Sequence, residues 1–234
     1  MIILKNFVKK ITPKFLRKLY HEKKYNKKYS NMTTSDVFRD IKNTNFWYSS
    51  ESISGSGSEI EQTKTLITEL PNFFKEKNIK SILDIPCGDF NWMRKVDLSE
   101  INYLGGDIID ELISENIEKY GSERIKFMVL NILTDVLPKT DLIFVRDCFV
   151  HFSNKDIQNA ISIIKKSGCK YLMATTFINN HKNIDIITGK WRPVNLQDAP
   201  FNFPEPEYIL VENCTEFDGK YKDKSMGLWL IEKL

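Results

Sequence analysis

The chain is poor in the residues that build metal and redox centres. It has three histidines and four cysteines in 234 residues. Cys87, Cys148, Cys169 and Cys214 are scattered, with no C-x-x-C pair and no clustered histidines. That spacing fits reduced thiols and gives no reason to expect a zinc, iron–sulfur or other metal site. His21 and His181 fall outside the expected sheet. No run approaches the 18 apolar residues of a membrane span. Lys9 and Lys10 interrupt the apolar start Met1-Ile2-Ile3-Leu4 too early for a secretory signal. The ten glycines include no G-x-G-x-x-G. Ser54-Gly55-Ser56-Gly57-Ser58 resembles a phosphate loop but lacks the Walker lysine, so ATP is a poor fit. The core has no basic stripe interleaved with aromatics, so a nucleic-acid partner is not expected.

What is present is an ordinary globular composition, 41% hydrophobic and 28% charged, long enough for one domain with an elaboration. A cytoplasmic protein is expected, either monomer or homodimer. The net charge of +3 hides an asymmetry: residues 1–28 carry ten lysines or arginines against Glu22 alone. With Ile3, Leu4, Phe7, Val8, Ile11, Phe15, Leu16 and Leu19 interleaved, this start can pack on the body or a second subunit. It can equally lie on an anionic inner membrane face or contact a polyanion. Residues 1–46 are read as a basic helical extension, with a helix after Thr12-Pro13, a polar turn over 26–34 and a short helix over 35–42. Residues 49–58 read as a loop. Ile60, Thr63, Leu66, Ile67 and Leu70 recur on one face of a helix that Pro71 is expected to bend or end, with a short continuation to Glu76.

From residue 81 onward, short apolar strands alternate with helices. Strands are expected over 81–85, 103–107, 125–130, 141–145 and 171–175, with helices over 110–120 and 153–166. That alternation argues for a doubly wound α/β sheet. Residues 208–214 and 226–232 add a hairpin at one edge. The stretch 177–206, with Trp191-Arg192-Pro193 and three further prolines, breaks the rhythm and reads as a lid or binding loop.

The most informative segment is Leu83-Asp84-Ile85-Pro86-Cys87-Gly88-Asp89, a strand that breaks into a tight acidic turn. Asp107 closes a second strand about twenty residues later. Paired strand ends at this spacing build nucleotide or nucleoside pockets in open α/β sheets. A diphosphate would meet Asp84 and Asp89 where it needs backbone N–H groups. A ligand with a cationic centre, an amine and ribose hydroxyls suits them, and S-adenosylmethionine has all three.

These motifs resemble those of the class I S-adenosylmethionine (SAM)-dependent methyltransferases. A narrower likeness, to a bacterial branch associated with surface-polysaccharide or other secondary biosynthesis, rests on residues 54–58, Asp89-Phe90-Asn91-Trp92, the run from Gly189 to Pro204 and Gly227-Leu228-Trp229. It spans roughly residues 47–232. Pro86 and Asp89 depart from the small residues common in the general pattern, and Asn131 stands where an aspartate is frequent. The resemblance implies a Rossmann-like seven-stranded sheet of order 3-2-1-4-5-7-6, with the last strand antiparallel. It makes 47–234 the methyltransferase domain, with 177–206 as a substrate-loop insertion, and implies methyl transfer from SAM.

For the cofactor the expected residues are Ser54, Ser58, Thr63, Asp84, Pro86, Cys87, Gly88, Asp89, Trp92, Asp107, Ile108, Asn131, Ile132 and Arg146. Asp107 is read as the ribose ligand, the alternative being a helix N-cap. Asp84 either orients the turn or approaches the methionine ammonium. Cys87 is read as a small filler, because no histidine is placed to activate it. Asn131 and Ile132 are candidates for the adenine pocket or a plain end-of-strand turn. Asp147 and His151, four apart, can share a face if the following helix begins early, and are the expected catalytic pair. The alternative is a packed histidine and an Arg146–Asp147 structural pair. Asp185, Trp191, Arg192 and Asn195 are the expected acceptor-binding residues, with loop anchoring as the alternative for Trp191. The acceptor is taken as a small polar molecule methylated on oxygen, carbohydrate-linked or phosphoryl-containing. A NAD-dependent oxidoreductase and a non-catalytic SAM-fold binding subunit are the competing functions.

Overall fold

The computed structural model describes residues 23–180 and 182–234. Most of the expected helix over 12–24, most of the basic start and His181 therefore lie outside the described residues. Seven strands form one sheet: β1 (Ser81–Asp84), β2 (Asn102–Asp107), β3 (Ile125–Val129), β4 (Leu142–Val145), β5 (Tyr171–Phe177), β6 (Tyr208–Val211) and β7 (Lys224–Leu230). The strand order is 3-2-1-4-5-7-6. β1 to β5 pair in parallel, and β7 runs antiparallel between β5 and β6. This is the order, and the antiparallel insertion, that the resemblance to class I methyltransferases implies.

Period-two alternation explains why the central strands are apolar throughout. Leu83, Ile143, Val145, Leu172 and Ala174 point to one face, where Ile157, Ala160 and Ile164 of the helix Asn154–Lys166 cover them. Ile82, Leu142, Phe144 and Met173 point to the other, under Leu66, Leu70, Phe73 and Phe74 of the helix Ile60–Glu76. That second helix runs through Pro71 to Glu76, so the proline does not end it. A proline removes one backbone donor, and the buried stripe on both sides of it outweighs that loss.

In chain order the long helices are α1 (Thr34–Asn43), α2 (Ile60–Glu76), α3 (Asp110–Tyr120) and α4 (Asn154–Lys166). Ser153 caps α4 by accepting from Asp156 N, and Thr33 caps α1 by accepting from Asp36 N. Residues 23–29 are helical, so the turn expected over 26–34 begins only after Tyr29. Tyr25 and Tyr29, one turn apart with centroids at 4.4 Å, supply the apolar side that the lysines conceal. α1 packs beside the C-terminal ends of the strands: Val37 and Ile41 are buried, Phe38 lies 6.0 Å from the Phe152 ring, and Arg39 pairs with Asp110 on α3 at 2.7 Å. No described helix is long and apolar enough to cross a membrane.

Candidate active site

One deep cleft opens at the C-terminal ends of β1, β2 and β4, enclosing about 1100 Å³ with the solvent at its mouth. Its walls come from the turn after β1, the end of β2, residues 130–132, residues 146–152, the 53–58 segment and α1. Of the expected cofactor residues, all but Thr63 line it. Thr63 is turned into α2, where its hydroxyl donates to Glu59 O at 2.9 Å. A first-turn threonine on the buried side of a helix satisfies itself this way, so it stands outside the cleft.

The turn after β1 is held from three sides. Gly88 sits at φ +56°, and a Cβ there would stand 2.2 Å from Ser54 Oγ, so the serine–glycine segment lies directly on this glycine. Asp107 Oδ2 accepts from Gly88 N at 3.2 Å and its Oδ1 from Ile109 N at 3.0 Å. Asn116, a buried residue of α3 with no motif around it, donates to Gly88 O at 2.8 Å. The Asp89 carboxylate, expected to face the ligand, accepts from Ser52 Oγ and Ile53 N, both at 3.0 Å. It lines the cleft while its oxygens pin the serine–glycine segment. Cys87 is a buried thiol against β2, pushed well above its usual range by burial, which supports the filler reading.

Two carboxyls dominate the electrostatics. Asp84, 3% exposed, is pushed up to about 7 by burial, against the lowering influence of Tyr103 Oη, which donates to it at 2.6 Å. Asp107, 5% exposed, is pushed up to about 6, again by burial, against its backbone donors. Neither makes a hydrogen bond to a cationic side chain among the described residues. The cleft floor therefore holds acid whose charge would be relieved by a cationic or hydroxyl-rich ligand.

Asn131 Oδ1 accepts from Leu133 N at 2.9 Å, and Asn131 N donates to Asp135 at 2.8 Å. That is the end-of-strand turn; the residue lines the cleft with its preferred acceptor already engaged.

Beyond β4 the expected early helix is absent. Asp147 has φ +51°, a short 3₁₀ turn covers Phe149–His151, and α4 begins only at Asn154. The turn still brings Asp147 and His151 to the cleft wall. His151 Nδ1 lies 2.9 Å from Lys190 O. A carbonyl only accepts, so Nδ1 carries the proton and Nε2 is the lone-pair nitrogen. Burial, reinforced by the Arg192 and Lys224 charges, lowers His151 to about 4, so it is neutral at pH 7. Its ring lies on Trp47, with centroids 4.6 Å apart.

Asp147 belongs to a buried ion cluster that the sequence does not announce. Arg146 Nη2 donates to Glu212 Oε2 at 2.7 Å and to Gly57 O at 2.8 Å. Lys224 Nζ lies 2.6 Å from Asp147 Oδ2 and 3.5 Å from Glu212 Oε2. Lys224 and Glu212 are 4% and 2% exposed. Burial pushes the Asp147 carboxyl up, but Lys224 and Arg146 outweigh it and hold it below the usual range. Asp147 Oδ2 takes these contacts, and Oδ1 has none among the described residues. Arg146 also faces the Trp92 ring at 5.3 Å.

The expected acceptor residues stand apart from the cleft lining. Arg192, 6% exposed, spends its guanidinium on Phe149 O (2.6 Å), Ile184 O (3.1 Å) and Asn154 Oδ1 (3.0 Å), which makes it a clamp across the 177–206 loop. Asn195 bonds Asp198 and the Asn183 side chain, and Asp185 accepts from Asn154 N at the start of α4. Trp191 packs edge-on to Phe177 and Tyr221, partly anchoring the loop as the alternative had it, yet stays 38% exposed.

No family model and no curated protein matches this sequence. Solved structures are similar in fold. The N-methyltransferase NodS from Bradyrhizobium japonicum WM9, in complex with S-adenosyl-L-homocysteine, is 13% identical, covers 62% of this chain and 74% of its own, and has a TM-score of 0.48. The magnesium protoporphyrin IX methyltransferase ChlM from Synechocystis PCC 6803 is 14% identical over 62% and 72%, with a TM-score of 0.46. A SAM-dependent methyltransferase from Clostridium acetobutylicum ATCC 824 is 19% identical over 53% and 58%, with a TM-score of 0.40. This chain spans 66%, 66% and 58% of the length of three of the structures it resembles.

Proposed function

We propose that this chain transfers a methyl group from SAM to an oxygen of a small polar acceptor. The observation that carries the reading is the pair of buried carboxyls, Asp84 and Asp107, closing adjacent parallel strands with no cationic side chain among the described residues bonded to either. That donor set fits a ribose and a cationic amino-acid moiety and opposes a diphosphate. Gly88, whose missing side chain leaves the backbone bare beneath Ser54, completes a cradle for close approach.

When bound, SAM supplies an activated methyl group on a sulfonium. The remaining work belongs to the chain. Asp107 would hold ribose hydroxyls, Asp84 the side of the cleft facing the ammonium, and residues 130–132 the rim beside the base. Neutral His151 offers Nε2 to an acceptor hydroxyl, and its Nδ1–H···O bond to Lys190 fixes that tautomer. Asp147, kept ionised by Lys224 and Arg146, offers Oδ1 to orient the same hydroxyl and to stabilise positive charge arising on the imidazole. Alignment of acceptor and methyl supplies much of the rate, as it does for any activated donor.

Isothermal titration with SAM, S-adenosylhomocysteine and NAD tests the cofactor. Binding of the first two and not the third is expected; NAD binding without SAM would overturn the proposal in favour of an oxidoreductase. Incubation with labelled SAM and a metabolite extract from the source cell, read by mass spectrometry, identifies the acceptor.

A further inference from the structure

Three aromatic rings cluster on the surface beside the candidate active site: Trp191, Phe217 and Tyr221. Trp191 and Phe217 have centroids 6.2 Å apart and planes inclined by 33°, and Tyr221 meets both edge-on, at 4.9 and 5.6 Å. Phe217 is 68% exposed and Trp191 38% exposed. Packing accounts for Trp191 only in part and for Phe217 hardly at all.

Phe217 is also held in an unfavourable backbone conformation, with φ 53° and ψ 46°. The left-handed region costs a non-glycine residue on the order of 1 kcal/mol. A large aromatic residue there, mostly in solvent, gains neither burial nor backbone ease. Asn or Gly would satisfy the turn better.

The cluster is continuous with the active site through the residues next to it. Lys190, preceding Trp191, holds the His151 Nδ1 proton on its carbonyl. Glu216, preceding Phe217, accepts from Ser56 Oγ at 2.6 Å. Glu216 Oε2 and Asp147 Oδ2 lie 3.3 and 3.4 Å from the point where a Cβ on Gly57 would stand. Trp191 and Phe217 thus each follow, in the chain, a residue that touches the wall where His151 and Asp147 stand.

Charge decides what kind of acceptor they suit. The arginines nearest the site, Arg146 and Arg192, are both buried and engaged, with Glu212 and Gly57 and with the loop carbonyls. Lys220 Nζ lies over the Tyr221 ring at 5.1 Å, and the same stretch of chain carries Lys222 against Glu216 and Asp218. A phosphoryl group would find no guanidinium fork there.

Resting on the methyltransferase reading above, we propose that the acceptor is a neutral, hydroxyl-bearing ring, docked by its apolar face on Trp191 and Phe217. A pyranose and a phenol share that chemistry.

The test is saturation-transfer difference NMR on the full chain, with and without S-adenosylhomocysteine. The probes are methyl β-D-glucopyranoside, catechol and sn-glycerol 3-phosphate. Saturation of ring C–H protons is expected for at least one ring probe, and which one responds tells sugar from phenol. Phe217→Asn should weaken that probe about two- to tenfold, the range of one ring contact. Its melting temperature should be equal to or above that of the unaltered chain, because asparagine tolerates the left-handed turn. Trp191→Leu, with the same readouts, supplies a second ring deletion. Silence from both ring probes, preferential binding of glycerol 3-phosphate, unchanged ring-probe binding in Phe217→Asn, or a lowered melting temperature in that variant would each overturn the proposal. Failure of S-adenosylhomocysteine to bind, read separately by titration, would instead count against the methyltransferase reading.

Discussion

Replacing Lys224 by methionine should unmask the ion cluster behind Asp147. The lysine sits 4% exposed at the start of β7, with Asp147 at 2.6 Å and Glu212 at 3.5 Å. Methionine keeps most of the volume and removes the charge. Arg146 then faces both Asp147 and Glu212, so the buried group carries one uncompensated negative charge. Breaking a buried pair from one side costs about 3–5 kcal/mol. For a domain of this size that is a drop of about 6–20 °C in melting temperature, at ~2–4 °C per kcal/mol. The pH dependence gives the mechanism away. In the unaltered chain Asp147 is held below its unfolded value, so its contribution is present above about pH 4 and is lost as pH falls through the folded value. Without Lys224, burial is left to raise the Asp147 carboxyl, the sign reverses, and the deficit should shrink as pH is lowered from 7 towards 5. Glu212→Gln in the Lys224→Met background restores charge balance with Arg146 and Asp147 and should recover part of the loss, a coupling of about 1–3 kcal/mol. Thermal melts of the four proteins of this cycle between pH 5 and 8 suffice. A deficit below about 1 kcal/mol that does not vary with pH would show that these charges are hydrated, and the account of how Asp147 stays ionised would fall with it.

Asp107→Ala should abolish SAM binding by titration while the chain stays folded, because relief of a buried carboxyl pushed up to about 6 offsets part of what is lost when Gly88 N and Ile109 N lose their acceptor; retained affinity would remove the ribose assignment. The raised Asp84 carboxyl favours the folded state most below its unfolded value near 4, and that advantage is lost as pH rises through about 7, so Asp84→Asn should flatten the fall in stability between pH 4 and 7 in urea titrations. Gly88→Ala places a Cβ against Ser54 at φ +56° and should cost about 1–2 kcal/mol while weakening SAM binding; an unchanged chain would mean the serine–glycine segment does not rest there. Arg192→Ala strands the Ile184 and Phe149 carbonyls and should lower stability by about 2–4 kcal/mol with SAM affinity intact, whereas a stable variant with a raised acceptor KM would return Arg192 to substrate binding.

The parallel half of the fold was legible because its signals are local. Strands from Ser81 to Phe177 are short apolar runs bounded by turns, and the helix expected over 110–120 is α3, Asp110–Tyr120. The acidic turn and Asp107 were legible for the same reason: one tight turn and one strand end, whose chemistry is carried by neighbours in sequence. Local signals also misled. Pro71 reads as a bend or an end, yet the buried stripe on both sides of it carries the helix on to Glu76, and Asp147 with His151 reads as a helix start because four-residue spacing suits an α-helix as well as a 3₁₀ turn. An arginine beside a tryptophan on an irregular loop offers a cation and a flat wall, so Arg192 reads as an acceptor residue. Nothing in the sequence says that three acceptor groups of the protein itself surround it.

What sequence reasoning missed outright, Glu212 and Lys224, has a topological cause. β7 enters the sheet antiparallel between β5 and β6, so its first residue, not its last, arrives at the C-terminal ends of the parallel strands. A lysine opening a strand then lies opposite Phe177, the last residue of β5, and Glu212, just past β6, reaches the same end. Read along the chain, each is one charged residue at a strand boundary, where charge is commonplace. Folded, they meet Arg146 and Asp147 from more than sixty residues away. The strand inversion that closes the sheet thus also supplies countercharges for the wall where methyl transfer is proposed to occur. The only sequence signal that could have pointed to them is the order 3-2-1-4-5-7-6 itself, taken one step further to ask which charged residues the reversed strand brings to the active end.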